Sequence, residues 1–373
     1  AYEMSASLVD AEMCIRDRQA GGRKMHSLPS VTIDAGVLAV PHVDCAKDDA
    51  FQYVDTLLDW SKLLDEPWIA IHMSERASES LFADGLYPLR EQLRELFKAH
   101  SIVEYDVNTV AKIANQLLAI TPSFETYYRV KDVLSEHLET DPDVIRLTTH
   151  AGLQSDLARC ITLIAILSKY CPQPLGGHSL VLREAPKQVI QVRAHIYEIE
   201  HTRDDIPVLL SPPEFFEGDV LTCDDFRGLI DCLDESAILV GASDDLGIEL
   251  AVRIALFKNT IVQGDSPDWN GVVVPTIGFR FRELCQQVCA DQGDSIPPKI
   301  LRSIVETIKG HNLSAVHALR IGPGGNDPQR MRGYDKAQRR DIDREFHLHY
   351  WECADGTVEL ASVVYHNDFS IPG

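Results

Sequence analysis

The sequence predicts a mixed α/β, multidomain protein built from βαβ-type units and closed by a C-terminal antiparallel hairpin module. Three observations predict it. From Leu28 onward short apolar runs alternate with stretches of helical spacing. Of the 373 residues, 45% are apolar and 25% charged, the balance of a chain with a core, which excludes a disordered, collagenous or multi-span membrane protein. Near the end, Asp355-Gly356 stands between two alternating runs, a strong short-range hairpin signal.

The elements follow in order. Residues 31–34 read as a first strand, and Phe51, Val54, Leu57 and Leu58 recur at helical spacing. Residues 68–73 form a second strand, after which Ser74 caps a helix through Leu81. A helix over 89–98, a third strand over 102–105 and a helix over 108–118 come next. Residues 124–170 read as mostly helical, and the Pro/Gly-rich stretch 171–177 is the clearest linker. Beyond it, 179–183 and 188–200 look like a hairpin joined by Glu-Ala-Pro-Lys. A helix over 224–233, a buried strand over 237–241, and helices over 246–257 and 300–308 precede the terminal hairpin. The expected division is a non-native or disordered leader at 1–24, an N-terminal α/β domain with a helical extension at 25–170, a second α/β segment at 178–295 and a basic module at 296–373.

The string AYEMSASLVDAEMCIRDR resembles translated adapter read-through, so the natural chain is expected to start near Met25. No secretory signal stands in the first 24 residues. The longest apolar run, about residues 157–167, contains Arg159 and is short against the roughly 20 residues that span a bilayer, so no membrane partner is expected. Nine cysteines without a CxxC pair favour a reduced, cytoplasmic setting.

Net charge is −22, which repels phosphate polymers. Residues 299–340 depart from this, with nine Lys and Arg against three acids. Such a patch fits nucleic acid or simply a solvated surface. Walker, GxGxxG, HExxH and GxSxG motifs are missing, which removes the nucleotide-loop, zincin and α/β-hydrolase readings their residues would carry.

Two constellations carry chemistry. The first is a set of acids after predicted strands: Asp34, Glu75, Asp106 and Asp244, the last paired with Asp245. Ligands bind at that edge of open α/β sheets, and converging carboxylates need a cation such as Mg²⁺ or Mn²⁺. The plainer alternative is that each acid caps a helix. This arrangement resembles PIN-like metal-dependent nucleases over about residues 31–118 and 237–257. The resemblance implies that Asp34, Glu75, Asp106 and Asp244 are metal ligands, although the 138 positions from the third acid to the fourth depart from a compact domain.

The second is the terminal hairpin. A two-residue type I′ turn at Asp355-Gly356 would pair 351 with 360, 349 with 362, 347 with 364 and 345 with 366. Phe346, Leu348 and Tyr350 would then face a core, while Glu345, His347, His349, Trp351 and His366 share the other face. Those imidazoles could act as general acid and base or bind a metal, or the face could be plain surface. Arg330, Arg332, Arg339, Arg340 and Arg344 upstream suit phosphate contacts. The tail, about residues 334–369, resembles the end of RelE-type ribonuclease toxins, which implies RNA-directed cleavage if the basic and imidazole groups share a face.

The expected function is therefore a metal-dependent nuclease acting on RNA or DNA, of a toxin or antiphage-defence type. The alternative is a non-catalytic regulatory or adaptor protein that binds a protein partner through the basic segment and the His/Trp face.

Overall fold

The structure, a computed structural model, describes residues 28–170, 173–183, 188–201, 214–322 and 324–373. It is a mixed α/β protein with two six-stranded sheets. The leader at 1–24 lies outside the described residues.

The first sheet has the order β2 (Ala70–Met73), β1 (Ser30–Ile33), β4 (His178–Val181), β6 (Glu214–Cys223), β5 (Gln188–His201), β3 (Val130–Asp141). The first four strands run parallel, β5 runs antiparallel to them, and β3, antiparallel to β5, runs with them again. Every residue of β1 is buried, as a central parallel strand requires. Val31 and Ile33 enter the larger core, whereas Ser30 and Thr32 on the other face bond the ring of His178 at 3.0 Å each. The chain goes from β1 to β2 on one side and returns to β4 on the other. Their carboxyl ends are thus a topological switch point, where open sheets bind ligands.

Helices supply both layers. On the first sheet lie α1 (Ala35–Leu38), α2 (Lys47–Leu63), α3 (Ala77–Ala83), α4 (Arg90–Ala99), α5 (Val107–Ile120), α6 (Phe124–Tyr128), α7 (Val144–Leu147) and α8 (Ala151–Tyr170). The amino end of α8 is satisfied in tertiary fashion, because Asp84 accepts from the Gly152 and Leu153 amides at 3.0 and 2.8 Å. By length and composition α8 could cross a membrane, yet most of it is buried inside the protein. The helices α9 (Phe226–Cys232), α10 (Glu235–Gly241), α11 (Asp245–Val262), α12 (Phe281–Gln292) and α13 (Pro297–Ile308) extend the larger core toward the second sheet. That sheet has the order β7 (Thr276–Ile277), β12 (Val358–Tyr365), β11 (Phe346–Glu352), β10 (Asp335–Asp341), β8 (Val316–Ala318), with β9 (Met331–Arg332) on β10.

Several expectations are corrected. Residues 102–105 are irregular: the Ile102 amide closes the end of α4 on Phe97 O at 2.9 Å, with Ser101 at φ 52°. Residues 130–141, expected helical, form the edge strand β3, whose exposed charges suit an unpaired edge. Residues 237–241 are helical, since Asp234 caps them through the Ala237 amide and a five-residue apolar run does not distinguish strand from buried helix. The strands β4 and β5 are not a hairpin, because β6 lies between them; Glu-Ala-Pro-Lys falls outside the described residues.

The terminal hairpin forms, with a different turn. Gly356 alone has positive φ (85°), and Cys353 pairs with Thr357, so the loop is three residues rather than type I′. A bulge after His349 then restores the expected pairs 349–362 and 347–364, while Trp351 faces Glu359 rather than Leu360.

Candidate functional site

The switch point carries an acidic cluster. Asp34 follows β1 and caps α1, its Oδ2 accepting from the Gly36 amide at 2.8 Å. A Cβ on Gly36 would stand 2.6 Å from that oxygen, so glycine is needed for this approach. Ile33 pairs with Met73, which sets Asp34 and Ser74 side by side at the ends of neighbouring strands. Ser74 donates to Asp156 Oδ1 at 2.7 Å. Asp156 comes from α8, and Arg159 and Cys160 lie one turn further on the same face. Glu125 of α6 accepts the Glu75 amide with both oxygens, at 3.2 and 3.1 Å, and pairs with the Arg159 guanidinium.

Electrostatics here favour protons or cations. Burial, and then the charge of Asp156, raise Asp34 to about 7. Burial also raises Glu125 and Asp156, against the opposing pull of Arg159. Asp156 Oδ2 is buried without a hydrogen-bond partner among the described residues, a position that usually implies water or an ion.

The four acids named from sequence do not converge. Asp34 is in the cluster. Glu75 contributes its amide while its side chain is exposed. Asp106 is exposed and caps α5 through the Thr109 amide and hydroxyl, which hold its carboxyl below the usual range. Asp244 caps α11 and lines a cavity of about 270 Å³ with Pro29, Trp68 and Leu175, residues that precede β1, β2 and β4. It therefore stands at the amino edge of the sheet, opposite Asp34. Residues 237–241 before it are helical, so Asp244 follows a helix rather than a strand. Among the described residues no group of three or more His, Cys, Asp or Glu is arranged to hold a metal ion.

On the second sheet both faces of β11 are buried. Phe346, Leu348 and Tyr350 join the larger core as expected. His347, His349 and Trp351 share the opposite face, which is covered by the chain itself: His349 Nδ1 meets Ser370 O at 2.9 Å and Trp351 Nε1 donates to Pro372 O at 2.8 Å. Phe369 and Ile371 pack over Leu319, Ala337, Trp351 and Ala361. Burial lowers His347 and His349 to about 4, so both are neutral at pH 7. His366 is exposed, its ring 4.4 Å from that of His347.

The arginines have divided roles. Arg340 is fully buried on Glu306, His311 O and Asn312 O. Arg332 makes a bidentate pair with Glu359 at 2.9 and 2.7 Å, and Arg330 donates to Arg320 O and Ile321 O. Arg344 is exposed, and Arg339 is half-buried with an unpartnered Nε. Two of the five thus serve internal ion pairs, and the His/Trp face offers no open docking surface.

Sequence reasoning missed Asp156, Glu125, Ser74 and Arg159. One signal was present: Asp156 and Arg159 are charges inside an otherwise apolar helix, where an unpaired charge is costly. No protein-family model, curated protein or solved structure matches the chain.

Proposed function

We propose that the chain is a divalent-cation-dependent phosphodiester hydrolase acting on RNA or DNA at the carboxyl edge of β1 and β2. The observation that carries this reading is the buried pair Asp34 and Asp156, one carboxyl raised toward neutrality and the other with an unpartnered oxygen. The donor set fits Mg²⁺ or Mn²⁺, which take carboxylate oxygens and commonly use one or two of them while keeping several waters. When bound, such an ion supplies Lewis acidity toward a phosphoryl oxygen and a more acidic water.

This chain's own residues do the rest. Asp34 and Asp156 hold the charge. Ser74 fixes Asp156 through its hydroxyl, and Arg159 with the Glu75 amide holds Glu125 in place. Arg76, 43% exposed, paired with Asp132 and close enough to lower Asp156, is a cation beside the cluster that a substrate phosphate would share with Asp132. Among the described residues no two cysteines are joined by a disulfide, which supports a cytoplasmic setting. The toxin or antiphage-defence character rests on the PIN-like and RelE-type resemblances.

The test is cleavage of labelled single- and double-stranded RNA and DNA with Mg²⁺, Mn²⁺ or chelator. Divalent-dependent cleavage lost in Asp156→Asn, with unchanged circular dichroism, supports the reading. No divalent-dependent cleavage of any substrate, or full activity of Asp156→Asn, overturns it.

A further inference from the structure

On the covered face of the second sheet four buried side-chain polar atoms have neither a hydrogen-bond nor an ion-pair partner among the described residues, Arg339 Nε, His347 Nδ1, His349 Nε2 and Ser362 Oγ, while His347 Nε2 lies 3.0 Å from Asp341 Oδ1. Register explains the grouping. Arg339 pairs with His349, and His349 with Ser362, so three neighbouring strands set these side chains in one row, with His347 in the next. Buried polar groups left without partners are costly, and so many in one place call for an occupant.

The chemistry selects its kind. His349 Nδ1 must carry a proton to donate to Ser370 O, which leaves Nε2 as a bare acceptor. Arg339 Nε–H and the Ser362 hydroxyl are donors. Asp368 acts on His349 as a negative charge and Arg339 and Arg330 as positive ones, so the two donors, rather than the summed charge, select an anion. We propose that this face holds a hydrogenphosphate-type oxyanion between Arg339, Ser362 and His349, with residues 368–373 as the strap that closes over it. The oxyanion's bare oxygens accept from Arg339 and Ser362, while its own hydroxyl donates to His349 Nε2. A fully deprotonated anion of the same shape lacks that last bond. The site is independent of the acidic cluster on the first sheet.

Calorimetric titration of the full chain at pH 7 and fixed ionic strength, with inorganic phosphate and with sulfate, tests this. Phosphate is expected to bind at least tenfold more tightly than sulfate, which has no proton to donate. Arg339→Gln should weaken phosphate at least tenfold; if that variant misfolds by circular dichroism, Arg339→Lys and Ser362→Ala replace it, with several-fold losses expected. A parallel titration with uridine 3′-monophosphate separates the sources: tighter binding than phosphate identifies a nucleotide end, equal or weaker binding the free ion. No saturable phosphate binding, equal affinity for sulfate, or undiminished binding in the folded variants overturns the proposal.

Discussion

The Ser74 hydroxyl donates to Asp156 Oδ1 at 2.7 Å across 82 positions of sequence. This bond joins the end of β2 to the middle of α8 and orients the carboxylate whose other oxygen is unpartnered. Removing the hydroxyl in Ser74→Ala should leave the fold in place and weaken Mg²⁺ binding several-fold, read by calorimetry. Unchanged Mg²⁺ affinity would show that Ser74 does not position Asp156 for a cation.

Asp34 sets a pH dependence of stability. Its folded value, about 7, lies above the ordinary carboxyl value of 3.8, so the folded state binds more protons between those limits. Stability attributable to Asp34 is therefore full below about pH 4 and declines as pH rises toward 7. Chemical denaturation from pH 4 to 8 should show Asp34→Asn free of that decline. Parallel curves for the two proteins would mean that Asp34 is not buried beside Asp156.

The imidazoles act in the opposite sense. His347 and His349 fall from 6.5 to about 4 on folding, so the unfolded chain binds more protons between those values and stability is lost as pH falls from about 6.5 toward 4. His349→Ala should also destabilise by about 2 to 4 kcal/mol, the range for emptying a buried site and orphaning Ser370 O, measured by urea unfolding at pH 7. A cost under about 0.5 kcal/mol, typical of surface substitutions, would place that face in solvent.

Gly36→Ala puts a Cβ 2.6 Å from Asp34 Oδ2. The carboxylate must shift, so divalent affinity should fall at least tenfold with only a modest drop in Tm. Wild-type affinity in this variant would free Asp34 from the role of ligand.

Arginine substitutions separate internal from external charges. Arg340→Ala breaks a buried ion pair with Glu306 and should cost about 3 to 5 kcal/mol. Arg344→Ala removes an exposed charge, so it should preserve stability and lower the salt slope of nucleic-acid binding by about 0.7 to 0.9. A salt slope unchanged by Arg344→Ala would remove that residue from the interface.

The sequence by itself determined the α/β class, β1 and β2 and most of the helices, because hydrophobic periodicity is local; the pairs of His347 and His349 match expectation because a bulge after His349 offsets the longer turn. It also placed Asp34 at the edge of a strand. Only the tertiary structure decided which acids meet: Glu125 and Asp156 arrive from helices more than 90 residues beyond Asp34, whereas Asp106 and Asp244 satisfy nearby amides. Burial of the second hairpin face was equally beyond local pattern. Alternation distinguishes two faces of a strand, but the packing of residues 368–373 over His349 and Trp351 is a long-range contact made by side chains and carbonyls that no period in the sequence records.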